Sequence, residues 1–225
     1  MIDLNTWNLT IPVGEPATTI ETPLLVGGYQ DDYFQNINGA LFFWTPVSGS
    51  TTPNAKYPRS ELRETYADGS LRNWKYNAAD NYLRASLKVT QVPSTGKIVI
   101  GQIHNLEGDD PPLKLSYQYK SDTRTGNIVA IYRLKPGIDT TSVTVFRDVP
   151  LNQSFSYTIR LTPSGTLVVN VKTPSSTTSK WTAKLDPSWA TQNLYFKAGS
   201  YVQDNLGDAS EAGAVNFTNL LIEHL

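Results

Sequence analysis

Apolar and polar residues alternate along most of this chain. In "NYLRASLKV" (residues 81–89), Leu83, Ala85, Leu87 and Val89 share one parity, while Tyr82, Arg84, Ser86 and Lys88 share the other. Successive side chains on a strand point to opposite faces, so this pattern predicts a strand with one face packed and the other open to solvent or ligand. Comparable runs follow in "GKIVIGQIH", "LKLSYQY", "NIVAIYRL", "SVTVFRDV", "SFSYTIRL", "TLVVNVK", "NLYFKAGSYVQ" and "AVNFTNLLIEHL", with turn signals such as "PSTG", "RTGN", "KPG" and "TPSG" between them. Strands at this spacing predict an all-β antiparallel sandwich. The clearest hairpin joins "SYTIRL" to "TLVVNV" through "TPSG", where Pro163 and Gly165 supply turn geometry. Helix is expected only in short segments, around "DLNTW" and in "DPSWATQ", each a capping residue followed by a few helix-compatible positions.

Composition narrows the picture. The 225 residues include 15 Gly, 14 Pro, 5 Trp, 12 Tyr and 7 Phe, a turn-rich and aromatic-rich mixture suited to strands. All-β sandwiches of roughly 200–250 residues commonly form one unit, and no linker or repeat divides the chain, so residues 1–225 read as a single domain. Nineteen Lys and Arg against twenty Asp and Glu give a net charge of −1; nothing global attracts a polyanion, and neither a nucleic-acid nor a membrane partner is expected. Any anion site has to be local. Without cysteine there are no disulfides and no thiolate metal sites. The opening "MIDLNTWNLT" lacks the blocks of a signal peptide, and no apolar run reaches the ~18 residues of a membrane span. A soluble chain is expected, with any leader already removed.

Three strands carry chemistry. In "RSELRE", Arg59, Glu61 and Arg63 share a face and Ser60, Leu62 and Glu64 share the other. Glu61 between two guanidiniums can hold both in place while leaving donors for a planar carboxylate; the competing reading is a solvated edge strand whose surface ion pairs are worth only about 0–1 kcal/mol. In "GQIH", Gln102 and His104 share a face and Ile103 points into the core, so an amide donor lies beside an imidazole that can act as a base, unless it is simply a satisfied structural histidine. His224, near the carboxyl end, is expected to be solvated or incidental. In "YFKAGSYVQ", Tyr195, Lys197, Tyr201 and Gln203 face one way and Phe196, Ala198, Ser200 and Val202 the other. A phenol ionises near ~10 and is normally a proton donor at neutral pH, so either tyrosine is a candidate acid; an ordinary amphipathic sheet face is the alternative.

Together the three blocks resemble the alginate lyases of polysaccharide lyase family seven, whose signatures are R-(S/T)-E-L-R, Q-(I/V)-H and Y-x-K-A-G-x-Y-x-Q. They occur here in that order without departure. The resemblance spans nearly the whole chain, since "LNTWNLTIPVG" is similar to the family's opening strand and "PLKLSYQYK" to the segment after its Q-I-H block. It implies a jelly-roll β-sandwich with a concave groove for alginate or a related polyuronate, cleaved by β-elimination without metal or cofactor.

By the same resemblance, Arg59 and Gln102 neutralise the uronate carboxylate, His104 takes the C5 proton from guluronate, and Tyr201 protonates the departing C4 oxygen, serving as both base and acid for mannuronate. Arg63, Lys197 and Gln203 would hold neighbouring sugars, Glu61 would orient the arginines, and Tyr195 would stand at the groove's side. The isoleucine of "QIH" leans toward guluronate-containing or mixed substrates. The loops "NLEGDDPP" and "KTPSSTTSK" are where substrate access can differ. A secreted, monomeric, endolytic enzyme is expected. A lectin-like module and a lyase for another polyuronate such as glucuronan are the alternatives. A jelly-roll glycoside hydrolase, which needs two flanking carboxylic acids, is disfavoured because these blocks supply only Glu61 to the polar face.

Overall fold

The computed structural model describes residues 1–175 and 177–225. Fifteen strands make up most of it: β1 Trp7–Ile11, β2 Thr18–Ile20, β3 Phe34–Ile37, β4 Ala40–Pro46, β5 Arg59–Glu64, β6 Asn81–Gln91, β7 Lys97–Asn105, β8 Leu113–Lys120, β9 Thr125–Tyr132, β10 Thr141–Pro150, β11 Phe155–Leu161, β12 Thr166–Lys172, β13 Thr178–Lys184, β14 Leu194–Val202 and β15 Ala212–His224. They form two antiparallel sheets. One has eight strands in the order β10-β9-β8-β7-β14-β5-β1-β2, and the other seven in the order β13-β12-β11-β6-β15-β4-β3. Partners far apart in sequence, such as β14 beside β5, produce the jelly-roll connectivity and place strands from the two ends of the chain side by side.

Parity explains the core. Leu83, Ala85, Leu87 and Val89 of β6 are buried and their alternates are only partly covered, as the pattern predicts. They meet Ile103, Leu115, Phe196 and Leu62 from the facing sheet in one continuous apolar layer. Gly101 matters for this closure: a Cβ there would lie 2.5 Å from the Tyr157 hydroxyl, which reaches across from β11 to donate to Ile100 O at 2.8 Å. The "TPSG" hairpin forms as expected between β11 and β12, with Gly165 at φ +84°.

Of the two short helical segments expected, one forms and one does not. "DLNTW" is not helical; its Trp7 opens β1 and is almost wholly buried, so burial of the indole outweighs the weak local helix signal. "DPSWATQ" does hold a short 3₁₀ turn, Pro187–Thr191, capped by Asp186, whose side chain accepts from Ser188 N. The one α-helix among the described residues, α1, is instead the five-residue Thr22–Val26.

His224 is not solvated. Its ring bridges Asn81 Oδ1 (2.7 Å from Nδ1) and Glu64 Oε1 (2.6 Å from Nε2), with its side chain only 7% exposed. Glu64, on the core side of β5, is fully buried and also accepts from Trp74 Nε1 at 2.8 Å and Phe196 N at 3.0 Å. An uncompensated carboxylate there would be strongly destabilising, so the histidine at the end of β15 is one of the partners that make its burial tolerable. A hydrogen bond to a charged group contributes about 1.5–3 kcal/mol. His224→Ala is therefore expected to lower unfolding free energy in urea by roughly 2–3 kcal/mol; a change within about 0.5 kcal/mol, the usual range of surface substitutions, would show the contact to be incidental.

Candidate active site

"RSELRE" is neither an edge strand nor solvated. All six residues of β5 are buried, and the strand is paired on one side with β1 and on the other with β14. In turn β14 pairs with β7, which pairs with β8. Register brings the chemistry together: Tyr201 stands opposite Arg59, Gly199 opposite Glu61, Lys197 between Arg63 and Gln102, and Tyr195 opposite His104. The pairing of β14 with β5 is close enough to require glycine, since a Cβ on Gly199 would sit 2.5 Å from Ser60 O and 2.7 Å from the Glu61 Cα.

Glu61 is the hub. Its Oε1 accepts from Arg59 Nη1 at 3.0 Å and Lys197 Nζ at 2.7 Å, and its Oε2 from Gln102 Nε2 at 2.7 Å. The pairing with two arginines is corrected: Lys197 takes the place expected for Arg63. Burial alone would raise the Glu61 carboxyl, but Lys197 and Arg59, with hydrogen bonds from Lys197 and Gln102, outweigh it and hold the group below its usual range. Glu61 therefore stays ionised and fixes three donors at once.

Those donors border a cavity of about 260 Å³. Arg59 leans over the Tyr201 ring, 3.9 Å from its centroid, and its Nε has no hydrogen-bond partner among the described residues. Burial, reinforced by Arg59, pushes Lys197 down to about 8. His104 is pushed down to about 3, chiefly by burial and then by Lys197, so its ring is neutral. Its Nδ1 lies 2.9 Å from the carbonyl of Asn105. A carbonyl can only accept, so Nδ1 carries the proton and Nε2 presents a lone pair, with no hydrogen-bond partner among the described residues. Burial raises Tyr201 above the ordinary phenol range despite Arg59, which keeps it protonated. A neutral base and a protonated acid thus border one cavity with fixed cationic donors.

Two expected contacts take other positions. Arg63 does not border the cavity; it donates to Glu64 O, Arg72 O and Asn73 Oδ1 and lies under the Tyr195 ring. Gln203 sits just past β14, with its amide donating to Val202 O and its side chain also hydrogen-bonded to Tyr201, so it stands beside that phenol and not at the cavity wall. Tyr195 does border the cavity, but it also stacks on His104.

Sequence reasoning missed Lys114. It stands on β8 opposite Gln102, also borders the cavity, and burial and then Arg59 push its ammonium down. Its parity in "PLKLSYQYK" was readable, since it alternates with buried Leu113 and Leu115, but only register puts it beside Gln102. The loops differ too. Asp109 and Pro111 of "NLEGDDPP" border the cavity, as do Thr52, Asn54 and Ala55 from the segment before β5. "KTPSSTTSK" instead joins β12 to β13 in the other sheet, and Ser176 within it lies outside the described residues. Among the described residues Asp109 is the one acidic side chain that borders the cavity, against Arg59, Lys114 and Lys197, with Glu61 buried behind them, so the local charge is positive in a chain of net charge −1. Among the described residues no group of three or more His, Asp or Glu side chains is arranged to hold a metal.

Known proteins share this architecture. A family profile described as "Alginate lyase" matches residues 2–224. An alginate lyase from Pseudomonas aeruginosa superposes with a TM-score of 0.92 at 45% identity, over 99% of this chain and 100% of that one. The alginate lyase A1-II', described as a member of polysaccharide lyase family-7, superposes with a TM-score of 0.83 at 29% identity, over 99% and 96%. An alginate lyase from Klebsiella pneumoniae is 27% identical over 276 residues, covering 99% of this chain and 89% of that protein. By fold, by site-bearing strands and by sequence along nearly its whole length, this chain belongs to the alginate lyase family, polysaccharide lyase family 7.

Proposed function

We propose that this protein cleaves alginate by β-elimination. The observation that carries the reading is the pair of opposed proton states in one cavity, a neutral His104 with Nε2 open and a protonated Tyr201, beside Arg59 and Gln102 locked by Glu61. A related structure, a variant of A1-II' described as in complex with substrate (GGMG), supports a uronate chain as the ligand. Removing the C5 proton of a uronate is difficult while the adjacent carboxylate is fully charged. Arg59 and the second amide hydrogen of Gln102 neutralise that carboxylate, and donors already held in place need no reorganisation as charge develops.

His104 Nε2 then takes the C5 proton, the C5–H electrons form the C4–C5 double bond, the bond from C4 to the glycosidic oxygen breaks, and Tyr201 gives its proton to that oxygen. The products are an unsaturated uronate end and a free hydroxyl. Returning the imidazole proton to the phenolate resets the site. A low proton affinity in the empty site does not disqualify His104. Burial lowers it and nearby cations lower it further, so a uronate carboxylate that offsets those cations raises it when it is needed. For mannuronate, whose C5 proton lies on the other side relative to the leaving group, Tyr201 serves both steps only from its phenolate form, taking the C5 proton and passing it to the departing C4 oxygen.

Lys197 and Lys114 supply positive charge to the wall. Site strands β7, β14 and β5 occupy interior places in the eight-stranded sheet, so a chain can extend past the reacting sugar on both sides, which supports internal cleavage. Ile103 is fully buried, so any lean toward guluronate acts through the strand and not by contact. We place the enzyme outside the cell as a monomer, because its polymeric substrate is too large to import. A hydrolase does not fit, because Glu61 is pinned in its ionised state and cannot act as a general acid.

Incubation with alginate is expected to generate the ultraviolet absorbance of an unsaturated uronate; binding without absorbance would indicate a lectin-like module, and a preference for glucuronan would reassign the polymer. Tyr201→Phe is expected to keep fold and substrate binding but lose at least about 10²-fold in kcat, and wild-type turnover would exclude its acid role. His104→Asn is expected to reduce cleavage of polyguluronate more than polymannuronate; equal losses would argue against the division of roles. Lys114→Ala is expected to raise KM severalfold with kcat little changed. Because Lys197 loses its proton above about pH 8 in the free enzyme, kcat/KM is expected to fall above that pH, and Lys197→Arg to shift the alkaline limb upward. A limb unmoved by that substitution would assign it to another group.

A further inference from the structure

We propose that Arg63 and Tyr195 are positioning residues for the base: together they hold the His104 imidazole with Nδ1 protonated and Nε2 open to the groove. This rests on the reading of His104 as the base, and it departs from the substrate-binding role that family resemblance suggests for both.

The arrangement is a stack with a fixed foundation. Arg63 is 8% exposed, and its guanidinium donates to two backbone carbonyls, Glu64 O and Arg72 O, and to Asn73 Oδ1. Few of its donors are left for a sugar carboxylate, and its orientation is set by the chain itself. Its Cζ lies 3.7 Å from the centroid of the Tyr195 ring, a cation–π contact. Since β14 runs between β5 and β7, the tyrosine meets Arg63 from one side and His104 from the other. The Tyr195 and His104 rings are 5.3 Å apart at 20° between planes, and the phenol oxygen is 3.1 Å from Nδ1. That oxygen and Asn105 O both face the same ring nitrogen.

The consequence is chemical. A neutral histidine side chain free in water favours the proton on Nε2, which would block the lone pair that has to accept the C5 proton. Here Asn105 O claims the Nδ1 proton. The stacked tyrosine keeps the ring plane aligned with that carbonyl, so a flip that would exchange ring nitrogen for ring carbon loses the hydrogen bond and has to turn through orientations that break the stack. Arg63 in turn prevents the tyrosine from swinging into the groove. Glu64 extends the foundation, because its carbonyl receives Arg63 while its carboxylate is anchored to Trp74, Phe196 N and His224.

The test uses the full chain labelled with ¹⁵N at histidine, with Tyr195→Phe, Tyr195→Leu and Arg63→Met compared with wild type at neutral pH. Wild-type His104 is expected to show a protonated Nδ1 and a pyridine-like Nε2. Tyr195→Leu and Arg63→Met are expected to give averaged shifts of mixed tautomers, with kcat on polyguluronate falling between about tenfold and the ~10⁴-fold that a wrong tautomer costs a triad histidine, and with KM near wild type. Tyr195→Phe keeps the stack and is expected to lose less. A raised KM at unchanged kcat, or wild-type histidine shifts in Tyr195→Leu, would overturn the proposal and return Tyr195 to a substrate subsite. If Arg63→Met does not fold, the two Tyr195 variants decide. Wild-type activity in His104→Asn would instead overturn the assignment of the base, whereas the tautomer readout does not depend on turnover.

Discussion

A fully buried carboxylate in the middle of a sheet is costly unless both of its oxygens find donors and its charge finds partners, and Glu61 meets that condition with Arg59, Lys197 and Gln102. The same three contacts create the site. Each donor comes from a different strand, β5, β14 and β7, so satisfying the carboxylate also sets the relative positions of three segments that border the cavity. Burial and the charges left over set the proton states around them: burial first, and then the Lys197 ammonium and Arg59 guanidinium, keep His104 neutral, while burial keeps the Tyr201 phenol protonated. The proposed elimination requires a base and an acid with opposite proton states at one pH, and on that proposal both follow from one ion cluster and its burial.

The strand that carries Glu61 outward carries Glu64 inward. On the core side, Glu64 gathers Trp74, Phe196 N and His224, linking β5 to β14 and to the last strand of the other sheet. Two buried carboxylates three residues apart on one strand, each with a full set of partners on its own face, leave β5 little freedom to move. Catalytic donors need that rigidity, because interactions aimed at the transition state lose much of their value when the geometry is loose. The stack of Arg63, Tyr195 and His104 extends the same logic to the orientation of a single ring.

The loops that border the cavity are built differently. Asp109 and the segment with Thr52 and Asn54 lie at its wall without the dense pairing of the central strands. Recognition of different uronate sequences can change there without disturbing the proton-transfer machinery, a common division of labour between scaffold and loop.

Strand parity made much of this protein legible from sequence. Alternation in "NYLRASLKV", "GQIH" and "YFKAGSYVQ" separated core from groove, because side-chain direction on a strand depends only on local backbone geometry. What parity cannot supply is which strands lie next to each other. Lys114 became part of the site only through the pairing of β8 with β7, Lys197 displaced Arg63 as the partner of Glu61 only through the register of β14, and His224 left solvent only because β15 ends over Glu64. Sequence determined the face each residue shows; tertiary structure decided its neighbours, since pairing and register depend on contacts between separate segments, from consecutive strands such as β7 and β8 to strands as distant in sequence as β5 and β15, and in a buried site those neighbours determine charge and proton state.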